Sequence, residues 1–203
     1  MFIKILIQCN LVMPIMEEKI LFIDPQKIDL TGFELKGRIL DIGGGGEGII
    51  GQFKGDQVIA IDPKESELKE AIPGDYLKII MDAKDLKFLD ETFDTTTAFF
   101  TLMYIPLSDH ETVFKEIYRV TKKGGEFVLW DFKIPNRDIS DKEFYGLYLK
   151  VKIEEKEIST GYATKWNKEQ DLEYYINLGN SIGFKSAETK VIDEIFYIRF
   201  QRS

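Results

Sequence analysis

The stretch ILDIGGGGEG, from Ile39 to Gly48, carries an apolar strand into an aspartate and then into a run of glycines. A second apolar run, QVIAID, ends in Asp62. Glycine lets the backbone turn sharply and lets a ligand approach the chain closely, and a carboxylate about twenty residues further on can accept both hydroxyls of a ribose. The two runs therefore read as a site for a nucleotide-type cofactor.

The glycines alone do not say which cofactor. Gly43, Gly45 and Gly48 satisfy the G-x-G-x-x-G spacing of dinucleotide-binding enzymes, with Asp62 as their ribose acid. Asp41, directly after the strand, joins Gly43 and Gly45 in D-x-G-x-G and shifts the reading. A pyrophosphate seated at a helix N-terminus disfavours a nearby anion. S-adenosylmethionine (SAM) instead brings an ammonium and a sulfonium, which an anion attracts.

Outward from this stretch, β-branched and apolar runs alternate with helical patterns, the signature of β-α-β units and a mostly parallel sheet. After a strand at Arg38 to Ile42 come a short helix holding Ile49, Ile50 and Phe53, a strand at Gln57 to Ile61, and a brief helix around Glu65 to Ala71. Strands are expected at Tyr76 to Met81 and Thr95 to Phe100. Ser108 to Glu111 reads as a capping box, opening a helix whose Val113, Phe114, Ile117 and Val120 share a face. Lys122, Lys123, Gly124 and Gly125 stop that helix, the lysines suiting the negative end of its dipole and glycine a left-handed terminus. A strand from Glu126 to Phe132, a helix from about Lys168 to Ser181, and strands at Lys185 to Val191 and Glu194 to Gln201 follow. The fold class is α/β: a Rossmann-like doubly wound sheet of about seven strands, mostly parallel with an antiparallel C-terminal strand, in three α-β-α layers.

A chain of 203 residues, 44% of them hydrophobic, suits one domain with a sizeable core. Its net charge of −8 and pI near 4.9 argue against an extended nucleic-acid surface and favour small or cationic partners. One cysteine, Cys9, excludes an intramolecular disulfide, and one histidine, His110, leaves no Cys/His cluster for structural zinc. A cytoplasmic location is the expectation. Residues 1–20 read as an N-terminal extension to a domain over 21–203. The opening MFIKILIQCNLVMPIM, interrupted by Gln8, Asn10 and Pro14, is too short to span a bilayer, and no A-x-A cleavage site follows it. Either Met13 or Met16 is the true start, or these residues pack as an extra strand or helix.

Five runs in this order, ILDIGGGGEG, VIAIDP, MDAKDLKFLDETFD, FTLMYIP and EIYRVTKKGGEFVLWDF, resemble the small seven-stranded class I SAM-dependent methyltransferases over roughly Ile39 to Gly183. The resemblance implies a methyltransferase that uses SAM and releases S-adenosyl-L-homocysteine. It places Gly43 and Gly45 along the methionine part of SAM, with Asp41 holding the amino group directly or through water. Asp62 would bind the ribose hydroxyls, Asp82 would accept from the adenine amino group, and Ala83 would offer its backbone N–H to the ring. Phe99 and Phe100 would flank the methionine and the transferring methyl. The family usually reads D-x-G-x-G-x-G, whereas here Glu47 stands at the third glycine and Gly44, Gly46 and Gly48 form an alternative register. Glu47 would either point to solvent or meet the SAM ammonium.

The chemistry implied is in-line displacement at a sulfonium methyl, which needs alignment and a dry site but no metal. A general base is needed only for a protonated or acidic acceptor, and Tyr104, His110 and Asp131 are candidates near the strand rim. His110, inside a capping box, is expected on the surface, and Tyr104 and Trp130 as core or rim aromatics. A small-molecule acceptor is expected, because Phe99-Phe100-Thr101-Leu102 replaces the Asn/Asp-Pro-Pro-Tyr/Phe turn of certain nucleic-acid and protein methyltransferases. Ile134 to Trp166 alternates like a hairpin or lid inserted around 134–166. Its Tyr145, Tyr148, Tyr162 and Trp166 would wall an acceptor pocket or pack the hairpin onto the sheet. Two other classes stay open: a SAM-binding accessory or regulatory protein without turnover, and an NAD-type oxidoreductase.

Overall fold

A computed structural model describes residues 3–4, 18–137 and 140–203. The strands are β1 (Ile3–Lys4), β2 (Ile20–Asp29), β3 (Ile39–Ile42), β4 (Val58–Asp62), β5 (Leu77–Ile80), β6 (Phe93–Phe99), β7 (Thr121–Phe132), β8 (Phe144–Ile153), β9 (Lys156–Lys165), β10 (Phe184–Ile192) and β11 (Ile195–Arg202). The helices are α1 (Ile49–Lys54), α2 (Glu65–Glu70), α3 (Leu107–Val120) and α4 (Leu172–Ile182).

Seven strands form the main sheet in the order β10-β11-β7-β6-β3-β4-β5. β3 pairs in parallel with β4 and β6, β4 with β5, and β6 with β7, while β11 is antiparallel to both β7 and β10. This is the expected doubly wound arrangement with its antiparallel C-terminal strand. Every residue of β3 is buried, as a central parallel strand covered on both faces must be.

Because side chains alternate along a strand, Leu40 and Ile42 face one side and Ile39 the other. Leu40, Ile42 and Ile61 pack with Val113, Phe114 and Ile117 of α3 and Tyr175 of α4. On the opposite face Ile39, Val58 and Trp130 pack with Ile49 and Ile50 of α1. There the layer is completed by a second sheet of order β1-β9-β8-β2, whose Leu147, Leu149, Val151 and Ile158 join the same cluster. β8 and β9 form an antiparallel hairpin from Phe144↔Lys165 to Ile153↔Lys156, within the segment expected to insert after the fifth strand. Its outer neighbour β2 runs parallel to β8.

Several local expectations are corrected. The helix expected to open with a Ser108 capping box begins two residues earlier, with Pro106 at its N-cap and no side-chain cap. Proline's fixed φ starts the turn without one, and the Ser108 hydroxyl only reaches its neighbour Asp109 at 3.4 Å. His110, expected on the surface, is wholly buried. α4 begins at Leu172 rather than near Lys168, because Asp171 caps it by accepting from the Tyr174 N–H at 2.8 Å. β7 starts at Thr121, directly after α3, rather than at Glu126, with a register irregularity before regular pairing resumes at Glu126. The strand β2 had no counterpart in the sequence reading. The expectations for Cys9, Met13 and Met16 lie outside the described residues. Among the described residues no helix is long and apolar enough to cross a membrane.

Candidate functional site

The strand order reverses at β3: the chain winds through β4 to β5 on one side, then crosses to β6 and β7 on the other. Loops leaving the carboxyl ends of the two strands at such a point diverge, and a crevice opens between them. Here those loops are Gly43 to Gly48 after β3 and Phe100 to Pro106 after β6. Between them lies a cavity of about 260 Å³. Asp41, Gly43, Gly45, Asp62, Asp82, Ala83, Phe99 and Phe100 all line it, so the structure brings together every cofactor residue read from the sequence.

The glycines are required by crowding. A Cβ on Gly44 would stand 2.5 Å from Asp41 Oδ2 and 2.7 Å from Ala60 Cβ, and one on Gly45 would stand 3.0 Å from Asp62 Oδ2. Gly43 has φ 69°, and a Cβ there would run into Thr101. The two glycine registers thus share the work: Gly43, Gly44 and Gly45 give way to side chains, while Gly43, Gly46 and Gly48 supply the left-handed turns.

The acids are aimed by their neighbours. Asp41 lies buried beneath the glycine loop, with Thr97 Oγ1 donating to its Oδ1 at 2.7 Å. Burial pushes its carboxyl up to about 7, against the Thr97 hydrogen bond and with added repulsion from Asp62. The Lys64 N–H donates to Asp62 Oδ1 at 2.8 Å and the Lys84 N–H to Asp82 Oδ1 at 2.9 Å, turns in which an aspartate is oriented by the backbone two residues on. Glu47, Glu67 and Asp109 add carboxylates to a wall that also holds Lys64 and Lys84. With the acids in excess, the wall favours a cation.

The roof comes from the hairpin. Phe100, held at a left-handed φ of 49°, stacks on Tyr162 with ring centroids 5.1 Å apart and planes 8° from parallel. Glu47 is half-buried and accepts from Thr160 Oγ1 at 2.7 Å and from the Tyr162 hydroxyl at 3.5 Å. Of the hairpin aromatics proposed as pocket walls, Tyr162 alone lines the cavity. Tyr145 packs on Phe132 and Trp166, Trp166 donates its indole N–H to the Pro135 carbonyl at 2.7 Å, and Tyr148 stacks on Phe22. Thr101, Ile105 and Pro106 also line the cavity and were not singled out in the sequence. Their signal was position, just beyond the end of the fourth core strand.

The three candidate bases separate. Tyr104 lines the cavity, and burial, reinforced by Glu47, raises its phenol pKa, which keeps it protonated. His110 and Asp131 do not line it. The His110 ring bonds the Leu102 and Ile105 carbonyls through Nε2 at 3.0 and 3.1 Å and the Tyr174 hydroxyl through Nδ1 at 2.9 Å. Burial, with Lys168 nearby, lowers its pKa to about 4, so it stands as a neutral brace. Asp131 is buried, accepting from the Met103 and Phe132 N–H groups at 3.2 and 2.9 Å and, more weakly, from the Tyr175 hydroxyl. Both hold the loop after β6 from behind.

Comparison with known proteins gives the same picture. A family model described as "Methyltransferase domain" matches residues 40–129. The chain is 37% identical over 121 residues to a sterol 4-C-methyltransferase of Caenorhabditis elegans, covering 56% of this chain and 34% of that protein. It is 30% identical over 143 residues to a ubiquinone/menaquinone biosynthesis C-methyltransferase of Vibrio campbellii, covering 63% of this chain and 54% of that one. The chain thus spans from about a third to about half of the length of these curated relatives. A solved SAM-dependent methyltransferase of Methanosarcina mazei superposes with a TM-score of 0.63 at 18% identity, covering 84% of this chain and 95% of that chain. At that identity the likeness is one of fold.

Proposed function

We propose that this chain is a class I SAM-dependent methyltransferase that transfers a methyl group from SAM to a small-molecule acceptor in a cytoplasmic setting, a reading supported by the match to a methyltransferase domain and by the methyltransferases it resembles. The observation that carries the reading is the convergence of Asp41, Asp62 and Asp82 on one glycine-walled cavity at the reversal of the sheet.

The residues fit that donor. Asp62 and Asp82 would hold the ribose and the adenine, Ala83 would present its backbone to the ring, and Gly43 and Gly45 would let the methionine part lie against the chain. Asp41 would face the ammonium across the glycine loop. SAM, when bound, supplies an electrophilic methyl: the acceptor's lone pair forms the new bond to carbon while the C–S pair returns to sulfur. Phe99, Phe100 and Tyr162, which line the same cavity, would exclude water from the methionine end. In a dry site the wall's carboxylates hold a cation more strongly than they would in water. Discharge of the sulfonium on transfer would weaken that hold and favour release of the product.

The test is a labelled-methyl assay against pooled metabolites, run beside binding measurements with SAM, S-adenosylhomocysteine and NAD. Turnover that disappears in Asp62→Ala supports the reading. SAM binding without turnover on any pool would favour an accessory role, and stabilisation by NAD alone would overturn the donor assignment.

A further inference from the structure

A second cavity, of about 370 Å³, shares Tyr104, Ile105 and Pro106 with the first as a common wall. The rest of its lining is Met103, Leu107, Thr164, Lys165, Asn167 and Lys168. The two cavities differ in charge: six acidic residues and two lysines line the first, whereas the charged residues lining the second are two lysines, and its described lining holds no carboxylate. We propose that the second cavity is the acceptor's anchoring subsite and takes a small, partly apolar molecule bearing an oxyanion such as a carboxylate. This rests on the SAM-dependent reading above.

The placement of Lys168 and Lys165 and the apolar lining support it. Lys168 is pre-positioned, its ammonium donating to the Ile105 carbonyl at 2.8 Å and to the Leu102 carbonyl at 3.4 Å. An ammonium has three N–H groups, so those two carbonyls do not exhaust it. Asp131 faces Lys168 from the interior, where burial raises its carboxyl and the lysine draws it back down. Burial lowers Lys168 to about 8 against the opposing pull of Asp131, and an anion in the cavity would favour its charged form. Lys165, exposed at the end of β9, places a second positive charge at the mouth. Met103, Ile105, Pro106 and Leu107 offer an apolar surface for the body of the ligand. With its charged end at the lysines, the molecule would lie with its other end against Tyr104, Ile105 and Pro106, the residues that also line the first cavity.

If Lys168 served only to brace the loop, its removal would loosen that loop without changing which small molecules bind. The experiment therefore reads preference. The protein saturated with S-adenosylhomocysteine is titrated calorimetrically with benzoate, benzyl alcohol and benzylamine, three probes of one ring size and different charge. Benzoate is expected to bind at least about tenfold more tightly than either of the others, and less so at high salt. Lys165→Glu and Lys168→Met should each erode that preference, while Lys165→Glu leaves S-adenosylhomocysteine affinity unchanged. Should Lys168→Met fail to fold, Lys165→Glu alone carries the test. Equal affinities, a preference for benzylamine, or a benzoate preference unmoved by the folded variants would overturn the proposal. Failure of S-adenosylhomocysteine itself to bind would instead remove the donor reading, and the acceptor assignment with it.

Discussion

Asp41 and Asp62 illustrate two ways a carboxylate can serve one cavity. Asp62 is aimed by a backbone N–H and stands at the end of β4, so Asp62→Ala should weaken SAM binding by about 1.5–3 kcal/mol through lost charge-assisted hydrogen bonds, with little change in melting temperature. Calorimetric titration would show it, and an unchanged affinity would remove Asp62 from the site. Asp41 is buried, and its carboxyl is raised to about 7. A raised carboxyl means the folded chain holds a proton that the unfolded chain has released, so this group's contribution to stability falls as pH rises from about 4 to about 7 and is level above that. A cationic donor selects the ionised form. SAM affinity should therefore drop as pH falls through about 7, and Asp41→Asn should flatten that dependence. Both residues are legible in the sequence because each interrupts an apolar strand, Asp62 as the last residue of β4 and Asp41 one residue before the end of β3. The burial of His110 was legible too: His110, Val113, Phe114 and Ile117 follow the i, i+3, i+4, i+7 spacing of one helix face. Reading it as part of a cap set that signal aside.

At the scale of elements, the loop after β6 depends on its supports. Its Leu102 and Ile105 carbonyls each receive both His110 Nε2 and Lys168 Nζ, its Met103 carbonyl receives the Thr164 hydroxyl at 2.8 Å, and its Met103 N–H is taken by Asp131. His110→Phe fills a similar space but removes a donor, and should destabilise the fold by about 1–3 kcal/mol while also weakening SAM, since the same loop walls the cavity. Asp171→Ala offers the contrast: losing the cap of α4 should cost about 1 kcal/mol in a urea melt and leave SAM affinity alone. The hairpin β8–β9 is visible in the sequence as alternation. β2 is not, because Asp24-Pro25-Gln26-Lys27 breaks the pattern where the strand shifts register. Proline is tolerated at such irregularities, but the strand's partner lies more than a hundred residues away, beyond the reach of local periodicity.

Across the whole molecule, the two sheets share one apolar cluster, in which Leu147 of β8 is wholly buried beside residues of β3, β4 and β7. Leu147→Ala should therefore cost about 2–5 kcal/mol, and chemical unfolding followed by fluorescence and by circular dichroism should show one coincident transition; two separated transitions would mean that the second sheet melts on its own. The doubly wound order was readable from the strand-helix alternation, since right-handed crossovers leave few alternatives. The order of the second sheet was not, because its pairings join distant segments of the chain. Glu47 bridges these two levels of organisation, lining the donor cavity while gripping Thr160 and Tyr162 of the hairpin. A cation held at the glycine loop would compete for the oxygens that accept from those residues. By thermodynamic reciprocity, the factor by which the donor changes the hold on a guest beneath the hairpin is the factor by which that guest changes the hold on the donor. The order in which two ligands enter and leave would thereby be linked to a single side chain, standing among the glycines of the loop after β3.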